Sequence, residues 1–499
     1  MGTIRKQAIY SSIVIYLGFL IGFVNTWFFI RNGSFTPDQY ALTRLFFDVG
    51  QMMYAFGGLG VVAVIYKFFP YYQDHLTKKE NDLYSWSLLT VFIGFTLVIA
   101  AGILFEPLII RKFSERSPLF VNYYHWVFLF GFGITVFSVL EIISGTFKKT
   151  ILPNFLKEAG LRFLTFGLIL LFFFKIIDFD RFIKLFAFLY ILLAIVLFAI
   201  LYRGRYIHLV FKESKVTRRF KKKMISLSLY IYVGQVIQVC AAVADSIFIA
   251  SLKGLALTGV FSLASYIANL IQVPQRSVIS ITLPALSKAW KDKNLKEIDR
   301  IYHRTSINLL LIGLFIFGSV WLNIQDAFIT FNIQSEYKAG LSVVFILGIT
   351  RIIDAGTGVN AQIIGTSTQW RFEFLTGVIL LALLLPLNYF LIKQYGIIGS
   401  AYSNLIAFTV YNLIRLWFLW YKYKLQPFNS KTVLSLLLAS AAYFVCLYLF
   451  QHMSGWMGII LRSSLFTVLF TAGVFILKLT PDAHQLLEVV KKRLGIKAD

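Results

Sequence analysis

TRIIDAGTGVNAQIIGTSTQWRF, residues 350–372, decides how the rest of this chain is read. Its glycines invite comparison with a phosphate-binding loop. Such a loop needs GxxxxGK[ST], with the lysine on the phosphates and the hydroxyl on magnesium. Here Gly358 is followed by Val359 and Asn360, and the stretch contains no lysine. The nucleotide reading fails. What remains is an Arg, an Asp, an Asn and a Gln set into an apolar segment, 340–365, long enough to cross a bilayer as a helix.

The rest of the chain is of the same kind. Its 499 residues are 58% hydrophobic and 14% charged, with a mean hydropathy of +0.75. Soluble domains carry roughly a quarter charged residues. Apolar runs of about 20 residues, the length of a membrane helix, recur at 8–30, 46–69, 84–106, 123–146, 155–174, 182–202, 225–250, 256–283, 305–324, 340–365, 371–392, 396–421, 432–451 and 457–477. Short alternating segments of the kind that build outer-membrane barrels are absent from the sequence. The pattern predicts an all-α polytopic membrane protein of about fourteen spans.

The net charge is +25, from 48 Lys and Arg against 23 Asp and Glu. Most of this excess falls in alternate loops, on the side that holds both termini. The densest run, RGRYIHLVFKESKVTRRFKKK at 203–223, carries nine of the basic residues. This is the positive-inside bias, and it predicts cytoplasmic termini. The basic loops are expected to face anionic lipid head groups and not nucleic acid. Cys240 and Cys446 lie within apolar spans and suggest no disulfide framework. The first span is too long for a signal-peptide core and is expected to be retained.

No loop is long enough for a soluble catalytic domain. The chain divides into an N-terminal lobe (1–202), a basic linker (203–223), a C-terminal lobe (224–424) and two additional spans with a tail (425–499). FFPYYQDHLTKKENDLY (68–84) and TLPALSKAWKDKNLKEIDRIY (282–302) repeat one pattern: a span ending in Pro, a Lys-containing stretch, then Tyr. Weak similarity between halves is expected of transporters built from repeats.

Helical spacing places the polar residues on stripes. The eighth span gives Ser262, Ser265, Asn269, Gln272, Arg276 and Ser280. The seventh gives Gln238 and Asp245, with Gln235 alongside. The twelfth gives Ser400, Ser403, Asn404, Ala407, Tyr411 and Arg415. The fifth gives Glu158, Arg162 and Thr165, and the first Gly18, Gly22 and Asn25. In the tenth, Gly348, Arg351, Asp354, Ala355, Gly358, Gln362 and Gly365 share one side. Charge at mid-bilayer costs ~2.5–3.5 kcal/mol per residue on insertion scales, so such residues face a bundle interior or a wet cavity.

Each has a plain structural reading as well. Arg351 and Asp354 are spaced to neutralise each other, the glycines to let helices pack closely, and Arg276 and Arg415 to snorkel to the head groups. Asp245 suits either a structural hydrogen bond or a coupling proton. The six histidines form no ligand pair at i, i+3 or i+4, so no metal site is expected, and no GxSxG or HExxH suggests an enzyme.

SSIVIYLGFLIGFV (11–24), FGGLGVVAVIYKFFPYY (56–72), ADSIFIASLKGLALTGVFSLA (244–264), LPALSKAW (283–290), IDAGTGVNAQIIGTSTQWRF (353–372) and YGIIGSAYSNLIAF (395–408) carry a resemblance. In their order and placement the chain resembles bacterial polysaccharide or O-antigen flippases of the multidrug/oligosaccharidyl-lipid/polysaccharide exporter superfamily. The resemblance implies two six-helix lobes facing a central cavity, two extra helices and alternating access. It implies an undecaprenyl-pyrophosphate-linked oligosaccharide as substrate, with a polysaccharide polymerase and glycosyltransferases as partners.

On this reading Arg276 and Arg351, with Arg162, hold the diphosphate, since Arg offers a planar fork to its oxygens. Gln238, Asn269, Gln272, Gln362 and Asn404 meet sugar hydroxyls, with Asn25 alongside. Asp245 and Asp354 are the candidates for coupling to a proton or sodium gradient, and no other cofactor is implied. Two relatives compete. The lipid II flippase also has fourteen spans and a basic cavity. Multidrug antiporters commonly carry a first-span carboxylate, where this chain has only Asn25.

Overall fold

The computed structural model describes residues 17–77 and 79–482. The first part of the expected first span, His484 and the tail beyond residue 482 lie outside the described residues. The helices in chain order are α1 (Leu17–Ile30), α2 (Pro37–Gly57), α3 (Val61–His75), α4 (Leu83–Phe113), α5 (Pro118–Asn122), α6 (Tyr124–Thr146), α7 (Ile151–Asn154), a π-helical turn (Phe155–Gly160), α8 (Leu161–Phe173), α9 (Phe179–Arg203) and α10 (Lys215–Leu252). Then come α11 (Leu255–Asn269), a 3-10 turn (Leu270–Gln272), α12 (Val273–Lys291), α13 (Leu295–Thr330), a second 3-10 turn (Ser335–Gly340), α14 (Leu341–Gly356), α15 (Asn360–Thr366), α16 (Trp370–Tyr395), α17 (Ile397–Tyr423), α18 (Ser430–Leu449) and α19 (Gly455–Ile476).

Among the described residues, eleven helical segments are long and apolar enough to cross a membrane, and the bent pair α2–α3 makes a twelfth if counted as one span. A helical segment stands at each of the fourteen expected positions. Caps set several of the starts. Thr36 and Gln39 form a capping box ahead of Pro37, and the Ser214 and Asn294 side chains accept from Thr217 N and Glu297 N. Such caps satisfy amides that the first turn leaves without partners. The basic segment read as a loop to residue 223 is helical from Lys215, because Ser214 caps it and Lys and Arg favour helix.

The chain forms two compact units, Met1–Val260 and Phe261–Asp499. In the first, α6 packs on α9 and α2 through aromatic rings: Phe130 stacks on Phe186 at 5.2 Å between ring centres, with Tyr190 edge-on. In the second, α13, α18 and α19 share an apolar core that includes Leu310, Leu311, Cys446, Phe466 and Phe470. A second core joins Leu286, Ile298, Tyr302, Val359, Ile363 and Leu419. Tyr84 and Tyr302, the tyrosines that close the two repeated stretches, are fully buried in their respective units.

Two expected spans are broken. The second begins at Pro37, not 46, and bends by 51° between α2 and α3. The tenth stops at Gly356 and restarts at Asn360, with Gly358 in the left-handed region at φ 66°. Open backbone within hydrocarbon is tolerated only where protein groups satisfy it. In each case a serine from a neighbouring helix does so: Ser228 Oγ donates to Leu59 O at the first break, and Ser306 Oγ donates to Gly356 O at the second.

A side chain at Gly358 would meet two obstacles. The left-handed conformation costs an L-residue about 1–2 kcal/mol, and a Cβ there would stand 3.0 Å from the backbone nitrogen of Ser306. Gly358→Ala is therefore expected to destabilise the protein by on the order of 1–3 kcal/mol, measured as thermal unfolding in detergent. Gly365→Ala, whose Cβ would meet only Glu373 Cγ at 3.9 Å, is expected to leave the midpoint unlowered.

Candidate functional site

In the second unit the polar residues gather around one carboxylate. Asp354, near the end of α14, accepts at Oδ2 from Gln272 Nε2 (3.2 Å) and Gln275 Nε2 (3.4 Å). Its Oδ1 accepts from Asn412 Nδ2 at 3.1 Å. Asn412 Oδ1 accepts in turn from Thr357 Oγ1 and Asn360 Nδ2, both at 3.0 Å. The break in the tenth span thus supplies two donors, α17 supplies the amide, and the 3-10 turn before α12 supplies Gln272. Three amide donors disperse the negative charge of a half-buried carboxylate without a cation.

Arg351 lies one turn earlier and goes elsewhere. Its Nε donates to Asn269 Oδ1 at 3.0 Å, and its guanidinium carbon stands 5.3 Å from the centre of the Phe408 ring. Both charges thus take partners from other helices. The single stripe running to Gln362 and Gly365 is corrected, because the left-handed turn at Gly358 starts α15 on a new course. In the eighth span the 3-10 turn over Leu270–Gln272 advances each residue by about 120° in place of 100°. It therefore separates Asn269 and Arg276, both exposed, from Gln272, which turns in to Asp354.

Further along α17, Arg415 is 3% exposed and does not snorkel. Its Nη2 pairs with the Glu373 carboxylate of α16 and contacts the Tyr411 hydroxyl, with the Tyr411 ring centre 3.6 Å from the guanidinium carbon. The remaining stripe residues, Ser400, Ser403, Asn404 and Ala407, are buried, and Asn404 Nδ2 donates to Ser400 O at 3.0 Å. This face of α17 is packed interior. Removing one member of a buried ion pair leaves the other charge uncompensated, at about 3–5 kcal/mol. Arg415→Ala and Glu373→Ala are each expected to lower the unfolding midpoint strongly, and the double variant by less than the sum of the two.

In the first unit the stripes of the first and fifth spans meet. Arg162 Nη2 pairs with Glu158 Oε2 at 3.0 Å, and Asn25 Nδ2 donates to Arg162 O at 2.8 Å. A Cβ on Gly22 would lie 3.3 Å from the Arg162 side chain, so glycine lets α1 lie close to α8. Asn25 and Arg162 therefore hold one another's helices. Gln235 hydrogen-bonds the Tyr54 hydroxyl, and Gln238 is exposed on α10. Asp245 lies near enough to Asp48 to interact electrostatically, and Asp48 takes a hydrogen bond from Ser246 beside Arg44.

Arg276 stands apart. It is exposed on α12, next in sequence to Gln275, and has no hydrogen-bond or ion-pair partner among the described residues. Sequence reading overlooked Asp48, Gln275, Glu373 and Asn412. Asp48 and Glu373 carried a usable signal, since each is a carboxylate within an apolar span. Asn412 and Gln275 lie off the stripes and are recruited only by packing.

No family model matches the sequence, and no curated protein matches it. Solved structures do match. The lipid II flippase MurJ in an inward closed conformation aligns at a TM-score of 0.74 and 14% identity, over 95% of this chain and 98% of that one. An inward-facing multidrug resistance MATE family transporter of the MOP superfamily aligns at 0.63 and 16%, over 81% and 93%. The Vibrio cholerae MATE transporter VcmN aligns at 0.54 and 16%, over 85% and 98%. At these identities the likeness shows the fold, an all-α polytopic membrane fold shared with the MurJ and MATE structures.

Proposed function

We propose that this protein flips a polyprenyl-diphosphate-linked glycan across the bacterial inner membrane, by alternating access and with both termini cytoplasmic. The observation that carries the proposal is Arg276, an exposed guanidinium with no hydrogen-bond or ion-pair partner among the described residues. A diphosphate supplies the oxygens that such a fork takes in pairs. Arg351, half-buried and hydrogen-bonded to Asn269, adds a second cation. Gln238, exposed, and Gln362 suit sugar hydroxyls. The partnered Arg162, Asn25 and Asn404 suit scaffold roles better than substrate contact.

The first reading of the glycan is a lipid II-type peptidoglycan precursor, supported by a structural likeness to MurJ that runs nearly end to end in both chains. The second reading, an undecaprenyl-pyrophosphate-linked oligosaccharide for polysaccharide or O-antigen, rests on the stretch IDAGTGVNAQIIGTSTQWRF. It brings with it a polymerase and glycosyltransferases as partners. Multidrug antiport is the weaker alternative: MATE transporters match over a smaller share of this chain.

Proteoliposomes loaded with each lipid-linked glycan in turn discriminate these readings. The wild type is expected to flip one of the two. Arg276→Ala is expected to lose roughly 10–100-fold in rate, as for a charged hydrogen bond worth about 1.5–3 kcal/mol, with Arg276→Lys partly active. Movement of neither glycan, or an unchanged rate in Arg276→Ala and Arg351→Ala, would overturn the proposal.

Asp354 and Asp245 are the proposed coupling groups. The Asp354 site can exchange amide donors for a cation held by carboxylate and amide oxygens. Asp354→Asn is expected to make the rate insensitive to proton and sodium gradients. A gradient response equal to that of the wild type would exclude Asp354 from coupling.

A further inference from the structure

The first unit contains a cavity of about 590 Å³ that the functions above do not use. It lies among α2, α4, α6 and α10, and its wall is almost wholly apolar. One face of α4 forms its longest side: Gly94, Val98, Ala101, Phe105 and Ile109 follow helical steps of three and four. From Gly94 to Phe113 that side runs about 28 Å at 1.5 Å per residue, close to the ~30 Å thickness of the hydrocarbon core. Leu97 and Phe105, both on the wall, are 61% and 51% exposed, so the cavity opens at the surface of the unit. Apolar cavities do not hold water, whereas a hydrocarbon chain fills such a shape.

The charge at its far end is the second observation. The start of α4 is tied to the basic segment, since Asp82 accepts from Ser214 N (2.9 Å) and Thr217 Oγ1 (2.8 Å). The other end of α4, beyond Phe113, is remote from that segment and belongs to the side where positive-inside bias leaves few cations. Yet Arg111, Lys112 and Arg116 cluster there, all exposed and without hydrogen-bond or ion-pair partners among the described residues. Lys112 falls on the same face of α4 as Phe105 and Ile109. Of the nearby acids, Glu106 pairs with His125 at 3.3 Å, and Glu115 is exposed.

We infer that this cavity binds one acyl chain of an anionic phospholipid from the leaflet remote from the basic segment, with its phosphate held by Arg111, Lys112 and Arg116. A zwitterionic lipid would fill the cavity equally well but would gain little from three cations. Native mass spectrometry of the full chain from nanodiscs of equal phosphatidylglycerol and phosphatidylcholine tests this. The wild type is expected to retain one phosphatidylglycerol per chain in preference to phosphatidylcholine. The triple variant Arg111→Gln, Lys112→Gln, Arg116→Gln is expected to lower that preference at least about fivefold, the effect that losing a single surface cation worth ~1 kcal/mol would give. Ala101→Trp, which fills the cavity, is expected to abolish retention, with Val98→Trp as the second filling variant should Ala101→Trp fail to fold. Retention of the two lipids in the supplied ratio by the wild type, or wild-type retention by the triple and filled variants, would overturn the inference. So would retention of a polyprenyl diphosphate lipid in their place.

Discussion

The structure depends on one constraint: a polar group within hydrocarbon has to find its partner inside the protein. Backbone groups meet it by helix almost everywhere. At the two places where the helix stops within a span, a serine hydroxyl from the next helix takes the exposed carbonyl. Charged side chains meet the same constraint in different ways. Arg415 does so with Glu373, Arg462 of α19 with Asp326 of α13, and Asp354 with three amides. The first two arrangements lock helices. The amide arrangement leaves the charge uncancelled.

That distinction separates scaffold from working surface. Arg162, Asn25 and Asn404 are each tied into their own unit, although Arg162 Nη1 and Asn25 Oδ1 are buried without a hydrogen-bond partner among the described residues. Arg276 has no hydrogen-bond or ion-pair partner among the described residues. Between these extremes stands Asp354, whose donors come from separate elements and need not be given up together.

Much of the fold was legible in the sequence because hydrophobic length is a strong signal and lipid permits few alternatives. Every expected span has its helical segment. What the sequence hid were the breaks. A span with Gly356 and Gly358 reads as continuous by hydropathy, and only the packing of Ser306 against it shows why the helix stops. A face cannot be extrapolated through such a break, as from Asp354 to Gln362. Partners from other helices were hidden for a related reason: Asn269 meets Arg351 and Asn412 meets Asp354 across helices that spacing within one span does not relate. Sequence spacing cannot see such partners.

The length of α10 has a mechanical consequence. Its 38 residues contain no proline and a single glycine, Gly234, and extend about 57 Å at 1.5 Å per residue. The hydrocarbon layer takes up only ~30 Å of that. The helix begins among the lysines and arginines of 215–223 and carries Asp245 near its other end, roughly 40 Å from Arg218. A stiff rod of this kind behaves as a lever. A force applied to its cationic end, by lipid or by a binding partner, reaches the depth of Asp245 as tilt, with no joint along the way to absorb it.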